Sequence, residues 1–537
     1  MCGIFAFISL SKKKKIIELY DFLVENCDKI KHRGPDNSKY EVYDDKLFMG
    51  FHRLSINDVT ENGNQPLVYD DVILICNGEI YNHFELEQKY NISPSSRSDC
   101  HVILHLYRLF GIKKTLELIS GYFAFVLYDR RYDKIYIARD PIGVRALYIG
   151  HDEDNNIGVC SEMKGLNDCM SSIEQFKPGH YLDVSSNSMV SYYEYTYTRI
   201  ETSELSLEEQ LLKMRGLFEE AVFKRFMFER PFGVFLSGGF DSSIVGALVA
   251  KRNAPEPIHS FSIGMEGSTD LAKARIVAKH IGSIHHEVIV TEEDMLSAIK
   301  TVIKQNETYD TTTVRASTPM YLLSKYIKEN TDIVVVFSGE GSDEASGSYM
   351  YFHNAPSNAE FQDECVRLLK DLCYFDCLRC DKSTAGNGLE VRVPFLDKEF
   401  LTEYMRVPVE WKVPVNGMEK YFIRKAFAGT GLLPDEILWR KKEAFSDGVS
   451  STEKSWYQII QEHIDEIISQ SEFEREKDKF AVNCPYLKES YYYRKIFEEF
   501  YPGRADTIPY YWLPKWSGDT KDPSARVLNV YDKLDQL

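Results

Sequence analysis

The fold of the C-terminal half is decided by the stretch Phe235-Leu-Ser-Gly-Gly-Phe-Asp-Ser-Ser243. This stretch follows an apolar, strand-like run and precedes the helical run Ile244 to Lys251. Two consecutive glycines let the backbone approach a phosphate closely, and a helix N-terminus offers unpaired N–H groups to an anion. Because no Gly-Lys-Ser/Thr ending follows, the loop is not a Walker A loop. The alternative, an ordinary helix entry, would leave two glycines that cost helix stability without a compensating contact.

The sequence around this loop predicts a parallel sheet. From about residue 206, long helical stretches alternate with short strand-like runs, namely Phe232 to Leu236, His259 to Ile263, Glu287 to Val290 and Ile333 to Phe337. Such alternation is typical of an α/β fold with helices on both faces of the sheet. A second loop, Ser338-Gly-Glu-Gly-Ser-Asp-Glu344, follows the last run. Both loops leave the C-terminal ends of parallel strands, where ligands bind in open α/β sheets.

The first 205 residues have a different pattern, which predicts an α+β domain with packed sheets. Short apolar runs bounded by turn residues are interrupted by two helical patterns. The strand-like runs are Val72 to Cys76, Tyr122 to Tyr128 and Lys134 to Ala138, and the helical patterns are Ile16 to Cys27 and Asp99 to Phe110. We therefore predict two domains, residues 1–205 and 206–537, with the polar segment Glu194 to Glu208 as the linker.

The composition agrees with a large globular protein. A chain of 537 residues is too long for one hydrophobic core, and 44% hydrophobic with 27% charged residues is an ordinary globular balance. The net charge of −18 argues against a nucleic-acid partner. No apolar run reaches the roughly 20 residues that span a bilayer, and the short apolar opening precedes its lysines instead of following them. We expect a cytoplasmic protein with small-molecule partners and no membrane or nucleic acid.

The eleven cysteines are scattered and do not suggest a disulfide framework. Cys373, Cys377 and Cys380 have a C-x3-C-x2-C spacing, which can hold an iron–sulfur cluster. The same positions also fall on one face of a helix, and the surrounding sequence has a helical pattern without a glycine-rich loop. Because free cysteine is a good small core residue, we predict that these three are core residues of a helix.

Cys2 is the first candidate catalytic residue. Its small side chain permits removal of Met1, which would leave Cys2 with a free α-amino group. An α-amine with a pKa of about 7.7–8.0 is partly neutral at physiological pH and can accept the thiol proton. One residue would then supply both the nucleophile and the base.

Further motifs in the first half accompany Cys2. Singly, each has another interpretation, since Asn77-Gly78 can be a hairpin turn and Arg53 a surface ion pair. Together with an N-terminal cysteine they resemble the glutamine-binding half of class II (N-terminal-nucleophile) amidotransferases, in about the family's order and spacing. The resemblance implies an αββα sandwich for this half. The motifs are His32-Arg-Gly-Pro-Asp36, Arg53-Leu-Ser-Ile56, Asn77-Gly-Glu-Ile-Tyr-Asn82 and Ser98-Asp-Cys100.

The chemistry of glutamine fits the residue types in these motifs. Arg53 suits the α-carboxylate through a bidentate contact, and Asp99 suits the α-ammonium. The Asn77 side chain and the Gly78 N–H suit the oxyanion that forms when Cys2 attacks the amide. The glutamine-binding residues that the resemblance implies are Arg53, Leu54, Ser55, Ile56, Asn57, Asn77, Gly78, Glu79 and Asp99.

The two loops of the second half resemble those of a second family. The first is similar to the PP-loop of ATP pyrophosphatases, and the second to a motif of glutamine-dependent asparagine synthetases. The resemblance implies that Asp241 and Asp343 hold Mg²⁺ against pyrophosphate, since Mg²⁺ takes carboxylate and phosphate oxygens. It implies that Glu340 accepts a proton from attacking ammonia and that Lys442 lies near the transferred phosphate. The implied ATP contacts are Leu236, Ser237, Gly238, Gly239, Asp241, Ser242, Ile263, Ser338 and Gly339.

The resemblance runs from Cys2 to the tail Asp522-Pro-Ser-Ala-Arg526, nearly the whole chain. It departs where Ala345 to Ser348 replace an apolar residue and a Gly-Gly pair, and where Phe240 replaces the usual leucine. Neither departure removes a charged group, although both could alter loop flexibility and ATP affinity.

The reaction implied by the resemblance has three steps. Cys2 hydrolyses glutamine, ATP and aspartate form β-aspartyl-AMP, and ammonia moves through an internal passage to displace AMP and give asparagine. Two alternatives remain: an amidotransferase acting on another acid, as in β-lactam synthetase-like enzymes, and a degenerate regulatory protein. The intact Cys2 argues against the first, and the retained charged residues argue against the second. The oligomeric state stays open, with a homodimer as one alternative.

Overall fold

The computed structural model describes residues 1–11, 15–195, 204–451 and 453–528. The chain divides into two compact units. Unit 1 comprises residues 1–194 with 227–230 and 384–390, and unit 2 comprises residues 195–226, 231–383 and 391–537. The predicted linker, Glu194 to Glu208, lies partly outside the described residues, which omit 196–203. No helix in the described ranges is long and apolar enough to cross a membrane.

Unit 1 contains two six-stranded antiparallel sheets, with strand orders β10-β8-β9-β1-β3-β2 and β12-β11-β7-β6-β5-β4. The strands are β1 Gly3–Ile8, β2 Asn37–Tyr43, β3 Leu47–Arg53, β4 Leu67–Tyr69, β5 Val72–Ile80, β6 Gly121–Asp129, β7 Lys134–Arg139, β8 Tyr148–His151, β9 Ile157–Cys160, β10 Ser172–Gln175, β11 His180–Asp183 and β12 Ser188–Ser191. The helices are α1 Tyr20–Asp28, α2 His83–Tyr90 and α3 His101–Leu118.

The core of unit 1 shows that the two sheets pack face to face. Alternate residues of β1 and β3 form one buried cluster with alternate residues of β5 and β6. The opposite faces of β5 and β6 pack against α2 and α3 in a second cluster. On the outer side of the other sheet, α1 packs so closely on β3 that a Cβ at Gly50 would lie 2.5 Å from Cys27 Sγ. This α-β-β-α order confirms the predicted sandwich.

The strand pleat brings Cys2, Arg53 and Asn77 to the same end of the space between the sheets. Side chains alternate along a strand, so Asn77 shares the face of Ile73 and Ile75, which lie in the inter-sheet core. By the same alternation Arg53 shares the face of Phe51, and Cys2 packs against this core. In the antiparallel register of β1 and β3, Gly3 pairs with His52. Cys2, one residue earlier, therefore stands opposite Arg53.

The hairpin-turn alternative for Asn77-Gly78 is wrong. Strand β5 continues to Ile80, beyond the predicted end at Cys76, and Asn77 and Gly78 pair with Ala124 and Phe123 of β6. A Cβ at Gly78 would lie 2.4 Å from Tyr122 O, so close strand approach requires glycine here.

Unit 2 contains a five-stranded sheet with the order β15-β14-β13-β16-β17. The pairs β13–β14, β13–β16 and β14–β15 are parallel, which confirms the predicted α/β fold. The strands are β13 Phe232–Phe235, β14 His259–Gly264, β15 Ile284–Ile289, β16 Val335–Phe337 and β17 Glu390–Arg392. The helices are α4 Leu207–Phe223, α5 Phe240–Asn253, α6 Thr269–Ile281, α7 Glu292–Asn306, α8 Thr311–Asn330, α9 Ser342–Ser346, α10 Asn358–Asp371, α11 Asp376–Ala385, α12 Lys398–Met405, α13 Val409–Lys412, α14 Tyr421–Phe427, α15 Asp435–Leu438, α16 Phe445–Gly448, α17 Trp456–Ile467, α18 Gln470–Glu476 and α19 Lys488–Phe500.

The predicted single helix through the three clustered cysteines is wrong in part. Cys373 lies in a short 3₁₀ turn, whereas Cys377 and Cys380 lie in α11. The backbone of Phe375, with φ −123° and ψ −95°, interrupts the helical path between them. All three thiols are buried, because two short helical segments can bury one apolar side as well as one long helix.

Candidate active sites

Cys2 immediately precedes β1, and its side chain is half-buried. Its Sγ donates a long hydrogen bond to Leu54 O at 3.7 Å. Burial raises the pKa of the Cys2 thiol to about 11, so the thiolate is scarce at neutral pH and a base is needed. Met1 is buried ahead of it, and its α-ammonium lies 3.5 Å from Glu390 Oε2. While Met1 is present, the nitrogen of Cys2 is an amide and cannot act as that base.

Arg33 fixes the main chain of Cys2. Its Nε donates to Cys2 O at 3.0 Å, and its Nη1 donates to Glu162 Oε1 at 2.7 Å. Glu162 is fully buried; burial alone would raise its pKa, but Lys164, His32 and Arg33 hold that pKa well below its usual value. Sequence reasoning missed Glu162, because no motif surrounds this residue. Its role follows only from the fold, which places the loop after β9 beside the His32–Asp36 motif.

Arg53 has N–H groups left for a ligand. Nη1 donates to Thr60 O and to Asn64 Oδ1, both at 2.7 Å, and Nη2 donates to Asp58 O. Gly63 permits this position, since a Cβ there would lie 2.2 Å from Nη2. Among the described residues nothing accepts from Nε–H or from the second hydrogen of Nη2. Two donors on one guanidinium can each bind one oxygen of a carboxylate.

An acidic pair lies near Arg53 and Cys2. Asn57 Nδ2 donates to Glu79 Oε2 at 2.7 Å and to Asp99 Oδ1 at 3.3 Å. Asp99 Oδ2 accepts from Ile80 N at 2.6 Å, and burial raises the pKa of Asp99. Both carboxylates interact electrostatically with neighbouring titratable groups. For Glu79 this group is the Cys2 thiol, whose pKa the charge of Glu79 raises. Such a pair can hold an ammonium group, which would lower the free energy of the ionised carboxylates.

The Asn77 side chain is the least satisfied polar group of unit 1. It is fully buried, and neither Nδ2 nor Oδ1 has a hydrogen-bond partner in the described part of the chain. An unpaired buried amide lowers the stability of the fold by about 1–3 kcal/mol. An asparagine at this core position is therefore expected to have a role other than packing. A preorganised hydrogen-bond donor in a water-excluded site is what stabilises a developing oxyanion.

The remaining sequence-predicted residues of this site surround Cys2 and Arg53. Leu54 and Ile56 are buried, Leu54 O accepts from Cys2 Sγ, and Ser55 N donates to Asp36 Oδ2 at 2.8 Å. The structure thus groups the predicted glutamine-binding residues at one end of the inter-sheet space.

In unit 2, the PP-loop is closed by its own hydroxyl groups. Ser242 Oγ accepts from Ser237 N at 3.1 Å and donates to Gly239 O at 3.3 Å. Gly238 has φ +72°, and a Cβ there would lie 2.5 Å from Ala274 N. The loop therefore requires glycine at this position and presents its backbone N–H groups at the start of α5.

The two predicted nucleotide loops touch each other. Strands β13 and β16 are parallel neighbours, so the loops that follow them lie side by side. A Cβ at Gly339 would lie 2.7 Å from Ser242 N. A cleft opens here, and its lining includes eight of the nine predicted ATP contacts, all except Gly238. The lining also includes Glu340, Asp343 and Lys442.

A charge cluster occupies the floor of this cleft. Lys420 Nζ lies 2.5 Å from Asp241 Oδ2 and 2.6 Å from Asp343 Oδ1, and Lys442 Nζ lies 2.5 Å from Asp343 Oδ2. Burial alone would raise the pKa of Asp343, but the two lysines hold it far below its usual value. Burial would lower the pKa of Lys442, which Asp343 instead raises. Ser348 Oγ donates to Asp343 Oδ1 at 2.5 Å. Ser348, one of the residues at which the sequence departs from the family pattern, therefore helps to hold this carboxylate.

Sequence reasoning missed Lys420. Its backbone has φ +58°, in the left-handed region that a lysine adopts rarely and at a cost of about 1–3 kcal/mol. Such strain persists where the surrounding structure demands it. No phosphate-binding pattern surrounds Lys420, so its role becomes visible only when Asp241 and Asp343 are seen on either side of it.

The donor set of this cluster fits Mg²⁺. Asp241 and Asp343 converge on one point, Lys420 Nζ, and Mg²⁺ is typically bound by one or two carboxylates together with substrate phosphates. In the described residues no group of three or more His, Cys, Asp or Glu forms a metal site, so phosphate oxygens would have to complete the coordination.

Glu340 belongs to a second charged group at the cleft. Arg379 Nη2 lies 2.6 Å from Glu340 Oε2 and 2.6 Å from Asp376 Oδ1. Burial raises the pKa of Glu340, and Arg379 limits the rise. Tyr349 donates to Glu344 Oε1 at 2.5 Å and to Asp376 Oδ2 at 3.4 Å. Sequence reasoning missed Arg379 and Asp376, because they lie on α11, which is distant in sequence from both loop motifs.

Phe240, the other departure, packs inside the site. Its ring lies 5.0 Å from the guanidinium carbon of Arg424, which is buried behind Asp241. Phe240 therefore replaces aliphatic contact with a cation–π contact and leaves the charged groups in place.

The comparisons with known proteins match the two halves of the chain to two families. Residues 1–202 match the family described as a glutamine amidotransferase domain, and residues 213–363 and 355–520 match the family described as asparagine synthase. The chain therefore joins an amidotransferase half to a synthase half. It is 45% identical to the asparagine synthetase [glutamine-hydrolyzing] of Gallus gallus, and 44% identical to those of Bos taurus and Homo sapiens. Each alignment covers 99% of this chain and 99% of the relative. The chain belongs to the family of glutamine-hydrolysing asparagine synthetases.

The unpartnered amide of Asn77 gives a testable prediction. Asn77→Ala should lower kcat for glutamine hydrolysis by about 10²–10³, as expected when one oxyanion donor is lost. Its melting temperature should stay near that of the wild type, because no hydrogen bond within the protein is removed. The exposed Asn62→Ala is the matched control. Glutaminase assays and thermal melts measure both effects, and hydrolysis within twofold of wild type would contradict the oxyanion role.

Proposed function

We propose that this chain makes L-asparagine from L-aspartate, using ATP and the ammonia released from L-glutamine. The reaction proceeds through β-aspartyl-AMP and gives glutamate, AMP and pyrophosphate. The observation that carries the proposal is the convergence of Asp241, Asp343, Lys420 and Lys442 at the PP-loop. Full-length relatives named asparagine synthetase [glutamine-hydrolyzing] support it.

In unit 1, Cys2 is the proposed nucleophile for the glutamine amide. After Met1 is removed, the free α-amine of Cys2 takes the thiol proton and later returns it to the leaving nitrogen. The open N–H pair of Arg53 binds the α-carboxylate, and Asp99 with Glu79 binds the α-ammonium. Asn77 Nδ2 and the Gly78 N–H donate to the oxyanion.

In unit 2, the backbone of the PP-loop and the lysines hold the triphosphate of ATP. Asp241 and Asp343 would hold Mg²⁺, which when bound neutralises charge on the pyrophosphate leaving group. Lys442, which lies 2.5 Å from Asp343 Oδ2, would contact the phosphate oxygens of the bound nucleotide. The aspartate side-chain carboxylate attacks the α-phosphorus, the bond to the pyrophosphate oxygen breaks, and β-aspartyl-AMP remains in the cleft.

Glu340 is the proposed proton acceptor of the last step. Ammonia that adds to the acyl carbon becomes an ammonium and must lose a proton before AMP leaves. A carboxylate at the cleft whose pKa is raised by burial is a better base than an exposed one. Arg379 holds Glu340 in place through a two-point contact of 2.6 and 3.2 Å.

Three finer expectations stay predictions alongside this proposal: the requirement for Mg²⁺, a cytoplasmic location and a homodimeric assembly. The domain boundary between residues 205 and 206 also stays a prediction.

Cys2→Ala separates the two half-reactions. The variant should lose glutamine hydrolysis, since it lacks the nucleophile, yet form asparagine from added ammonium salt at the wild-type rate. The exposed Cys484→Ala serves as the control for loss of a thiol. Glutamate and asparagine are measured by chromatography. Near-normal hydrolysis by Cys2→Ala would place the nucleophile elsewhere, and so would an active protein whose intact mass still includes Met1.

Asp241→Asn tests the PP-loop. The change keeps the shape of the side chain but removes the charge that faces Lys420 and would hold Mg²⁺. Pyrophosphate release should fall by about 10²-fold or more, as for loss of a group that positions the reacting phosphate, while Cys2 continues to hydrolyse glutamine. Asp465→Asn, on the surface of the same unit, is the control. Undiminished pyrophosphate release would move the nucleotide to another site.

A further inference from the structure

The last described residues, Asp522 to Leu528, form a segment that we call the terminal segment. Its start is anchored by Asp522, whose oxygens accept from Arg315 Nη1 at 2.8 Å and Nη2 at 2.9 Å. Arg315 is buried and also pairs with Glu489 at 2.6 Å. Ser524 continues the anchor, since its Oγ donates to Asp447 Oδ1 at 2.9 Å. The segment is thus fixed to unit 2 by buried polar contacts.

Arg526 extends from this anchor to the loop that carries Lys442. Its Nη2 donates to Glu443 Oε1 at 2.5 Å and to Asp447 O at 3.0 Å, and its Nη1 donates to Ser451 O at 3.0 Å. Its side chain is only 10% exposed, so the contact with Glu443 is poorly screened by solvent. One guanidinium therefore bridges both ends of the 443–451 stretch.

Glu443 links Arg526 to the PP-loop. Its Oε2 accepts from Thr269 Oγ1 at 2.6 Å and from Arg440 Nη2 at 3.2 Å. Arg440 in turn pairs with Asp270 at 2.8 Å and donates to Ser237 O, in the PP-loop, at 3.3 Å. A continuous series of charged contacts thus joins the terminal segment to the PP-loop.

The stretch between these contacts has no secondary structure of its own. Residues 440–444 form neither helix nor strand. In the sequence, Lys442 lies between Arg440 and Glu443, which both belong to this series of contacts. Its Nζ lies 2.5 Å from Asp343 Oδ2. Side-chain contacts therefore have to define where its ammonium group lies.

We infer that Arg526 is a positioning residue for Lys442 and acts through Glu443. The inference rests on the proposed function, in which Lys442 contacts the leaving pyrophosphate. Arg526 itself does not line the cleft, whereas Glu443 and Arg440 do. Loss of the bridge should let the 440–444 stretch move, and a displacement of about 1 Å of a reacting group can cost about 10²-fold in rate.

Arg526→Ala is the direct test, measured as ATP- and aspartate-dependent pyrophosphate release at saturating substrates. The rate should fall by about tenfold to 10²-fold. KM for ATP should change less than kcat, because Lys442 is needed most when charge develops on the leaving group. Arg526→Lys, which keeps the charge but cannot bridge Glu443 and Ser451 together, should give an intermediate loss. Arg475→Ala, an exposed arginine of the same unit, is the matched control.

The path through Glu443 and Lys442 is tested by non-additivity. In a Glu443→Gln background, or in a Lys442→Ala background, Arg526→Ala should slow pyrophosphate release by less than threefold further, because the group that it positions is already lost. Thermal melts and circular dichroism of the same preparations report whether unit 2 is folded, and glutamine hydrolysis reports the same for unit 1.

Three results would overturn the inference. Wild-type rates in Arg526→Ala would show that the bridge is dispensable. An equal loss in the Lys442→Ala background would show that Arg526 acts elsewhere. A melting temperature that falls in step with activity in both Arg526 variants would show a general stabilising role. A wild-type chain that releases no pyrophosphate would instead overturn the proposed function, and this inference with it.

Discussion

Two lysines and two carboxylates hold the candidate site of unit 2 together. Lys420 contacts Asp241 and Asp343 at 2.5 and 2.6 Å, and Lys442 contacts the second oxygen of Asp343 at 2.5 Å. A carboxylate in a water-poor cleft costs several kcal/mol unless it is paired, so Lys420, which lies between Asp241 and Asp343, stabilises the close approach of the loops after β13 and β16. The positive φ of Lys420 is tolerated for the same reason. ATP and a metal ion would exchange partners within this cluster, which already has the charges that they require.

Unit 1 depends on a different constraint, the alternation of side chains along paired strands. The pleat directs Cys2, Arg53 and Asn77 to one end of the inter-sheet space, and the β1–β3 register sets the first two opposite each other. The resulting site is not arranged for stability. Asn77 has no partner among the described residues, and Arg53 keeps two donors open. A binding site that is preorganised for its ligand typically contains such unsatisfied groups, which lower the stability of the free protein.

Much of this could be predicted from the sequence, because strand periodicity and glycine-rich loops are local signals. The α/β sheet, the packed sheets of unit 1 and the glycine-rich loops were predicted in this way, whereas the αββα order and the nucleotide role of the loops were implied by the family resemblance. Asn77-Gly78 was harder, since asparagine-glycine is also a turn signal, and only the pairing with β6 excludes the turn. Lys420 and Arg379 could not be found, because their partners are distant in sequence and each is an ordinary charged residue until the fold brings the carboxylates to it. The helix through the three cysteines was wrong because periodicity cannot detect the break at Phe375.

The central claim is that the cleft of unit 2 adenylates aspartate, and the fate of one oxygen tests it most directly. L-Aspartate labelled with heavy oxygen in its side-chain carboxylate is incubated with ATP, Mg²⁺ and ammonium salt, and the products are analysed by mass spectrometry. Attack of the carboxylate on the α-phosphorus followed by displacement with ammonia predicts one labelled oxygen in AMP and none in pyrophosphate. Label in inorganic phosphate, with ADP as the nucleotide product, would contradict the account, because the γ-phosphorus would then be the atom attacked.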